Sequence, residues 1–383
     1  MKYLLLIAST LLLISCNSEE VTPSSQAEIT EFQVLLLDPH SYSTTDATLA
    51  FESISYTTLE TSNSSVLGEI KKIKLTKDSI LIIDSFSGYR SVKVFGRDGG
   101  YGGELLQPGR GPHDLENPRD IIEYKDGYLI WDRHKMIYIS KDRSTIDVIT
   151  SKMNEVGYSF GIINNEILLY HNSYHTGMVS RFSLEGKQIQ KIVPPIDYVK
   201  GIPSPPYESL SIFENSAVCF NTNFDTIWLY KEGQLSPLRW FRMKNDEYSS
   251  IASIIKGCND MDPMGFMKEL NRTKSYIVES YLENKSFLVF KYSLSGEHEK
   301  NTLIIDKYNG KEVKFSDLRL GTGYLCLENP IAITDDNELI YAIDYTTLKI
   351  NHGRLSSTLK KIYAKGKIDD NPIIVFCKIK EEL

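Results

Sequence analysis

Apolar residues along this chain fall in short continuous runs, each opened by a polar turn and closed by a polar stop. Lys77-Asp78-Ser79 precedes ILIID ending at Asp84, and Lys125-Asp126-Gly127 precedes YLIWD ending at Asp132. The unit returns at Asn164-Asn165 before EILLYHN, Asn215-Ser216 before AVCFN, Asn284-Lys285 before SFLVFKY and Asp335-Asp336-Asn337 before ELIYAID. Runs of this length without helical spacing predict strands covered on both faces. The turns recur at roughly 40 to 50 residues, with one wider gap, the period of one four-stranded blade in a closed β array. The pattern therefore predicts an all-β fold, a six-bladed β-propeller over residues 47–383.

Within each repeat, strand, turn, strand, loop, strand, turn, strand can be followed. The pairs Asp98-Gly99, Glu185-Gly186, Glu232-Gly233 and Asn309-Gly310 separate third from fourth strands and predict tight hairpins that need positive φ. The last repeat is irregular, with a helical pattern from Tyr345 to about Lys365 before the strand IIVFCKIK. That final strand, with one near Ala47 to Leu59, is expected to close the ring and remove its exposed edges. Between blades four and five, Ile251, Ile254 and Ile255, then Phe266, Met267 and Leu270, fall at helical spacing and predict two short rim helices.

The N-terminus changes the picture. Lys2, the apolar stretch Tyr3 to Leu13 and the ending Leu13-Ile14-Ser15-Cys16 read as a signal peptide over residues 1–15. The Leu-x-Ser-Cys ending resembles the bacterial lipobox, which implies lipidation of Cys16 and a membrane anchor. Ser/Thr-rich composition from residue 16 to 46 is expected to be a flexible tether. The expected location is the cell envelope, as an outer-membrane lipoprotein facing either the periplasm or the cell surface. Cys219, Cys326 and Cys377 lie inside apolar strands, where a thiol acts as a small hydrophobe, and Cys258 lies in the insertion. A net charge of −7 offers no basic stripe, so no nucleic-acid partner is expected.

The stretch Gln107-Pro108-Gly109-Arg110-Gly111-Pro112-His113-Asp114-Leu115 resembles the Gly-x-Gly-Pro-Gly-Glu-Tyr signature of six-bladed propeller lipoproteins of Bacteroides-type bacteria. These are similar to NHL-repeat and TolB-like propellers. Asp225-Thr226-Ile227-Trp228 and Asn371-Pro372 before an apolar strand fit the same resemblance. His113, Asp114 and Leu115 stand where the signature has Gly, Glu and Tyr.

Alternating strand direction puts second-to-third and fourth-to-first connections on one face, which also carries the long connections near 107–118, 194–209 and 244–273. Functional side chains concentrate on loops held by a rigid scaffold. The candidate ligand-binding residues are accordingly Arg110, His113, Asp114, Asp132, Arg133, His134, His171, Tyr174, His175 and Asn221. Asp84, Asn172 and Asp225 share that face. His171, His175 and Asp132 are the candidates for a divalent metal, although the segment between His171 and His175, four apart, reads as a loop end and not a zincin helix. No Gly-x-Ser-x-Gly elbow and no P-loop are present. The expectation is a binding module for a protein, glycan or peptide ligand, without a cofactor. The alternative that the resemblance implies is a metal-dependent envelope hydrolase or lyase at the channel mouth.

Overall fold

The computed structural model describes residues 32–39, 44–86, 89–133, 135–150, 157–173, 177–192, 208–221, 225–257, 263–296 and 300–383. Strands dominate, and they form seven sheets. The first sheet holds Glu69–Leu75, Ser79–Phe86, Tyr89–Gly96 and Tyr101–Glu104 in sequence order. The second holds Pro118–Tyr124, Gly127–Asp132, Lys135–Ser140 and Ile146–Thr150, and the third Ser159–Ile163, Glu166–Ser173, Gly177–Ser183 and Gln188–Ile192. The fourth comprises Glu208–Phe213, Ser216–Asn221, Thr226–Lys231 and Gln234–Met243, and the fifth is built on Ser275–Glu283, Phe287–Leu294, Lys300–Asp306 and Glu312–Phe315. The first strand of each sheet lies against the first strand of the next, as the inner strands of a propeller do.

Successive side chains on these strands serve different neighbours, which explains the unbroken apolar runs. Leu81 and Ile83 pack into the cluster shared with Ile121, Ile130 and Ile137 of the second sheet. Ile80 and Ile82, on the opposite face of the same strand, pack with Ile340, Ile374 and Phe376. The second sheet repeats this: Ile130 faces back, while Leu129 and Trp131 pack forward on Ile167 and Leu169. Each fully buried Ile or Leu contributes about 1.5–3 kcal/mol relative to exposure, and here both faces of each sheet contribute.

The chain closes on itself as expected. Ile373–Ile379 pairs antiparallel with Phe51–Thr58 on one side and Glu338–Ile343 on the other, in a sheet completed by Ala332–Ile333. Gly99, at φ +92, lies against this closing strand, where an added Cβ would meet the Thr58 carbonyl oxygen at 2.1 Å. The other three predicted hairpin glycines, Gly186, Gly233 and Gly310, also have positive φ.

The count of six is corrected to seven. The additional sheet joins Thr45–Asp46, Leu318–Leu320 and Gly323–Tyr324. Its Leu318 and Leu325 share one apolar cluster with Phe287 and Val289 of the fifth sheet and Tyr341 and Val375 of the closing sheet. Strands of two or three residues contain no apolar run, so counting runs passes over them.

A second difference concerns the stretch expected to be tether up to residue 46. Gln33–Leu37 is a strand, pairing parallel with Gln234–Met243 as a fifth member of the fourth sheet. It keeps Phe32, Val34 and Leu36 about half exposed while burying Leu37. The predicted insertion is helical, as α1 (Ile251–Gly257) and α2 (Pro263–Arg272), held together by Ile254, Phe266, Ile251 and Leu270. The helical pattern near the C-terminus is α3 (Tyr345–Ile350) and α4 (Ser357–Tyr363), N-capped by Asp344 and Ser356.

Asn371 fastens the closure. Its Oδ1 accepts from Leu67 N at 2.7 Å, and its Nδ2 donates to the carbonyls of Glu60 at 2.7 Å and Ser65 at 2.9 Å. It is 2% exposed, so none of these partners would regain water easily. Asn371→Ala is expected to lower unfolding free energy by about 2–4 kcal/mol in urea denaturation, because it strands buried backbone groups. A change under about 0.5 kcal/mol would contradict this role.

Candidate ligand-binding face

The polar residues that end the second strands do structural work first. Asp84 accepts from Gly68 N at 2.8 Å, the connection entering its own sheet, while Lys93 lies 3.7 Å from Asp84 and donates to the Val66 carbonyl. Asp132 does the same one sheet on, accepting from Glu116 N at 3.0 Å and from Asn117 N. Lys135, 3.5 Å from Asp132, donates to the carbonyls of Gly111 at 3.1 Å and of Asp114. In both sheets a carboxylate holds the amides of the incoming connection and an ammonium holds its carbonyls. Buried charges survive only when paired and hydrogen-bonded in this way.

The connection carrying the Gly-Arg-Gly signature is thereby fixed. Gly109 N donates to the Leu115 carbonyl and Leu115 N to the Gln107 carbonyl, both at 2.9 Å, and Asp114 Oδ2 accepts from Gly111 N at 2.9 Å. An added Cβ would meet Asp114 Oδ2 at 2.4 Å from Gly109 and 2.6 Å from Gly111. The glycines serve this close approach. Arg110 and His113 are left exposed at the surface, and Arg110 and Arg133 both pair with Glu116. Exposed pairs of this kind contribute little, about 0–1 kcal/mol.

The other candidates are dispersed. His171 is 2% exposed and Asn221 5% exposed, at the second strands of the third and fourth sheets. His134, Tyr174, His175 and Cys16 lie outside the described residues. Arg110, His113, Asp114, Asp132 and Arg133 are brought together at one connection; His171 and Asn221 belong to other sheets. Among the described residues, no three His, Cys, Asp or Glu side chains are grouped closely enough to hold a metal ion. Cys219 and Cys377 are free and buried, with burial pushing both thiols well above their ordinary pKa.

Sequence reasoning missed a cationic group on the same face. Arg90 starts the third strand of the first sheet, Arg119 lies at the head of the inner strand of the second, and Tyr158 directly precedes the inner strand of the third. The Arg119 guanidinium stands 5.4 Å from the centre of the Tyr158 ring, close enough for a cation–π contact. Burial lowers the Arg90 pKa, and the positive charge of Arg119 lowers it further. A single arginine at a strand start has no distinguishing pattern in sequence; only the ring brings these strand starts together.

Asp225 is a further residue of this face with altered chemistry. Ser250 Oγ donates to its Oδ2 at 2.6 Å and also accepts from Ser253 N at 3.0 Å, tying the first turn of α1 to the fourth sheet. Burial pushes the Asp225 carboxyl up to about 6, against hydrogen bonds from Ser250 and Trp240 that pull it down.

A family profile described as a domain of unknown function, DUF4934, matches residues 40–378. Among solved structures, a putative exported protein from Bacteroides fragilis aligns with a TM-score of 0.74 at 15% identity, covering 91% of this chain and 100% of that one. At that identity the likeness shows a shared fold. An oligogalacturonate lyase in complex with manganese gives a TM-score of 0.42 at 10% identity, over 86% and 97% of the two chains. The N-terminal domain of Nup159 gives 0.37 at 10% identity, over 80% and 76%. The latter two are too distant to bear on function. A search of curated proteins found no match.

Because the folded Asp225 carboxyl holds its proton more tightly than the unfolded one, its contribution favours folding below pH 3.8 and fades as pH rises to about 6. Asp225→Asn is therefore expected to flatten the pH dependence of thermal stability between pH 4 and 6, with its greatest relative gain at pH 7. Parallel melting curves for the two proteins across that range would contradict the assignment.

Proposed function

From a chain that belongs to the DUF4934 family and folds as a β-propeller, we propose an exported binding module. It engages its ligand or protein partner through the face that carries the long connections. One observation carries the reading: the connection at 105–117 is fixed in place by the buried Asp132–Lys135 pair while Arg110 and His113 remain exposed on it. A loop held rigid before binding loses little conformational entropy on association. The opposite face offers short hairpins in comparison, such as the four-residue turns at Gly99 and Gly186.

Export and envelope attachment rest on the signal-like N-terminus, the lipobox ending at Cys16 and the similarity to a protein described as exported. Growth with radiolabelled palmitate is expected to label the full chain and to leave Cys16→Ala unlabelled. Equal labelling of both would remove the anchor from the account.

The binding face is tested by photo-cross-linking in intact cell envelopes. A photoreactive residue is placed at His113 and, separately, at Glu185 in a hairpin of the opposite face. The expected result is a discrete adduct from position 113 and none from 185. Adducts from 185 alone, or equally from both, would move the binding surface elsewhere.

A further inference from the structure

We infer that Arg90, Arg119 and Tyr158 form an anion site on the long-connection face, built for a carboxylate carried on a ring. The inference rests on the binding-module reading and names the ligand chemistry for that same face. Arg90 and Arg119 sit on strands of neighbouring sheets that pack together, both half-buried, and the positive charge of Arg119 lowers the Arg90 pKa. Like charges are not brought together in partly desolvated surroundings without cost, and a shared anion offsets it.

The described residues do not place a carboxylate there. Neither arginine has a carboxylate within 4 Å among the described residues. The Arg119 Nε is buried and has no hydrogen-bond partner among them. Nearby cations are treated differently. Lys72, on the inner strand of the first sheet, is 2.8 Å from Asp120 and donates to Ser159 Oγ at 2.9 Å. Asp120 also accepts from Phe160 N at 3.0 Å, so that ion pair binds three inner strands together. Lys71 is paired with Glu69. Among the described residues the lysines of this rim are ion-paired, whereas the two arginines are not.

Guanidinium groups match planar oxyanions bidentately, which is how an arginine pair discriminates a carboxylate from a neutral group. Glu69 contributes a negative field at Arg90, which disfavours a doubly charged phosphate relative to a singly charged carboxylate. Tyr158, 41% exposed and already stacked against Arg119, presents a ring face beside the charge. An aromatic face next to a cation suits a ligand with an acidic group on a flat or apolar-faced ring. Sugar acids and aromatic acids share this chemistry.

The test is ligand-observed saturation-transfer NMR on the purified full chain at low ionic strength. The probes are glucuronate and benzoate, with glucose, benzyl alcohol and inorganic phosphate as comparisons. At least one ring acid is expected to bind, with its neutral counterpart much weaker, and the glucuronate and benzoate arms identify which ring is preferred. Arg90→Gln and Arg119→Gln should each weaken binding about tenfold or more. Arg119→Lys should keep part of the affinity, Tyr158→Leu should lose a smaller factor, and Lys187→Gln, exposed in a hairpin of the opposite face, should change nothing. Melting temperatures taken in parallel show that each variant is folded. Absence of binding by both ring acids would overturn the proposal, as would phosphate binding in their place or affinity unaffected by the arginine variants. If that happened while position 113 still cross-linked to a partner, the binding face would stand and this ligand assignment alone would fall.

Discussion

Covering both faces of every sheet is the constraint on which the rest of this protein depends. Strands such as Ser79–Phe86 and Gly127–Asp132 bury side chains on alternating sides, so no sheet is stable without a neighbour on each side. A row of such sheets has two bare ends, and only closure removes them. The closure is made by residues from opposite ends of the chain, Phe51–Thr58 against Ile373–Ile379, and Asn371 ties it to the segment that leads into the first sheet. Folding of the ring is therefore expected to be cooperative and dominated by contacts distant in sequence.

Charge is placed within this apolar frame with evident selectivity. Arg239 and Glu283 form a bidentate pair, both nearly inaccessible, with Tyr281, Gln33 and Lys307 completing their hydrogen bonds. Replacing a buried pair of this kind by apolar residues often costs nothing, whereas removing one partner costs several kcal/mol. Their value lies in register: the pair locks the outer strand of the fourth sheet to the inner strand of the fifth. The Asp84–Lys93 and Asp132–Lys135 pairs fix connections in the same way. Rigidity at the long-connection face thus comes from buried electrostatics, while Arg110 and His113 stay exposed on it.

Much of the architecture was legible in sequence because its signals are local. Apolar runs, hairpin glycines and the helical spacing of Ile251, Ile254 and Phe266 each report on their own residues, and the strands and helices followed. The seventh sheet was not legible, since Thr45–Asp46 and Gly323–Tyr324 carry no pattern and pair only because the fold delivers them to Leu318–Leu320. Gln33–Leu37 was hidden by its Ser/Thr-rich surroundings, which lowered the apparent weight of five alternating residues. The site was less legible than the fold. Strand-end aspartates look like ligands in sequence, yet both Asp132 oxygens and one Asp84 oxygen accept from backbone amides. Arg90 and Arg119 look like solvated strand starts, and only their adjacency across two sheets gives them significance.

The fixed connection, and an arginine pair without a carboxylate within 4 Å among the described residues, support the proposed reading of a preformed receptor for an acidic ligand. The idea is most directly tested by a crystal structure of the full chain grown with saturating glucuronate or benzoate. The account predicts ordered carboxylate density between Arg90 and Arg119 with the ring against Tyr158, and no shift of the 105–117 connection. A structure with no acid at this arginine pair, or with the acid bound on the hairpin face, would contradict it.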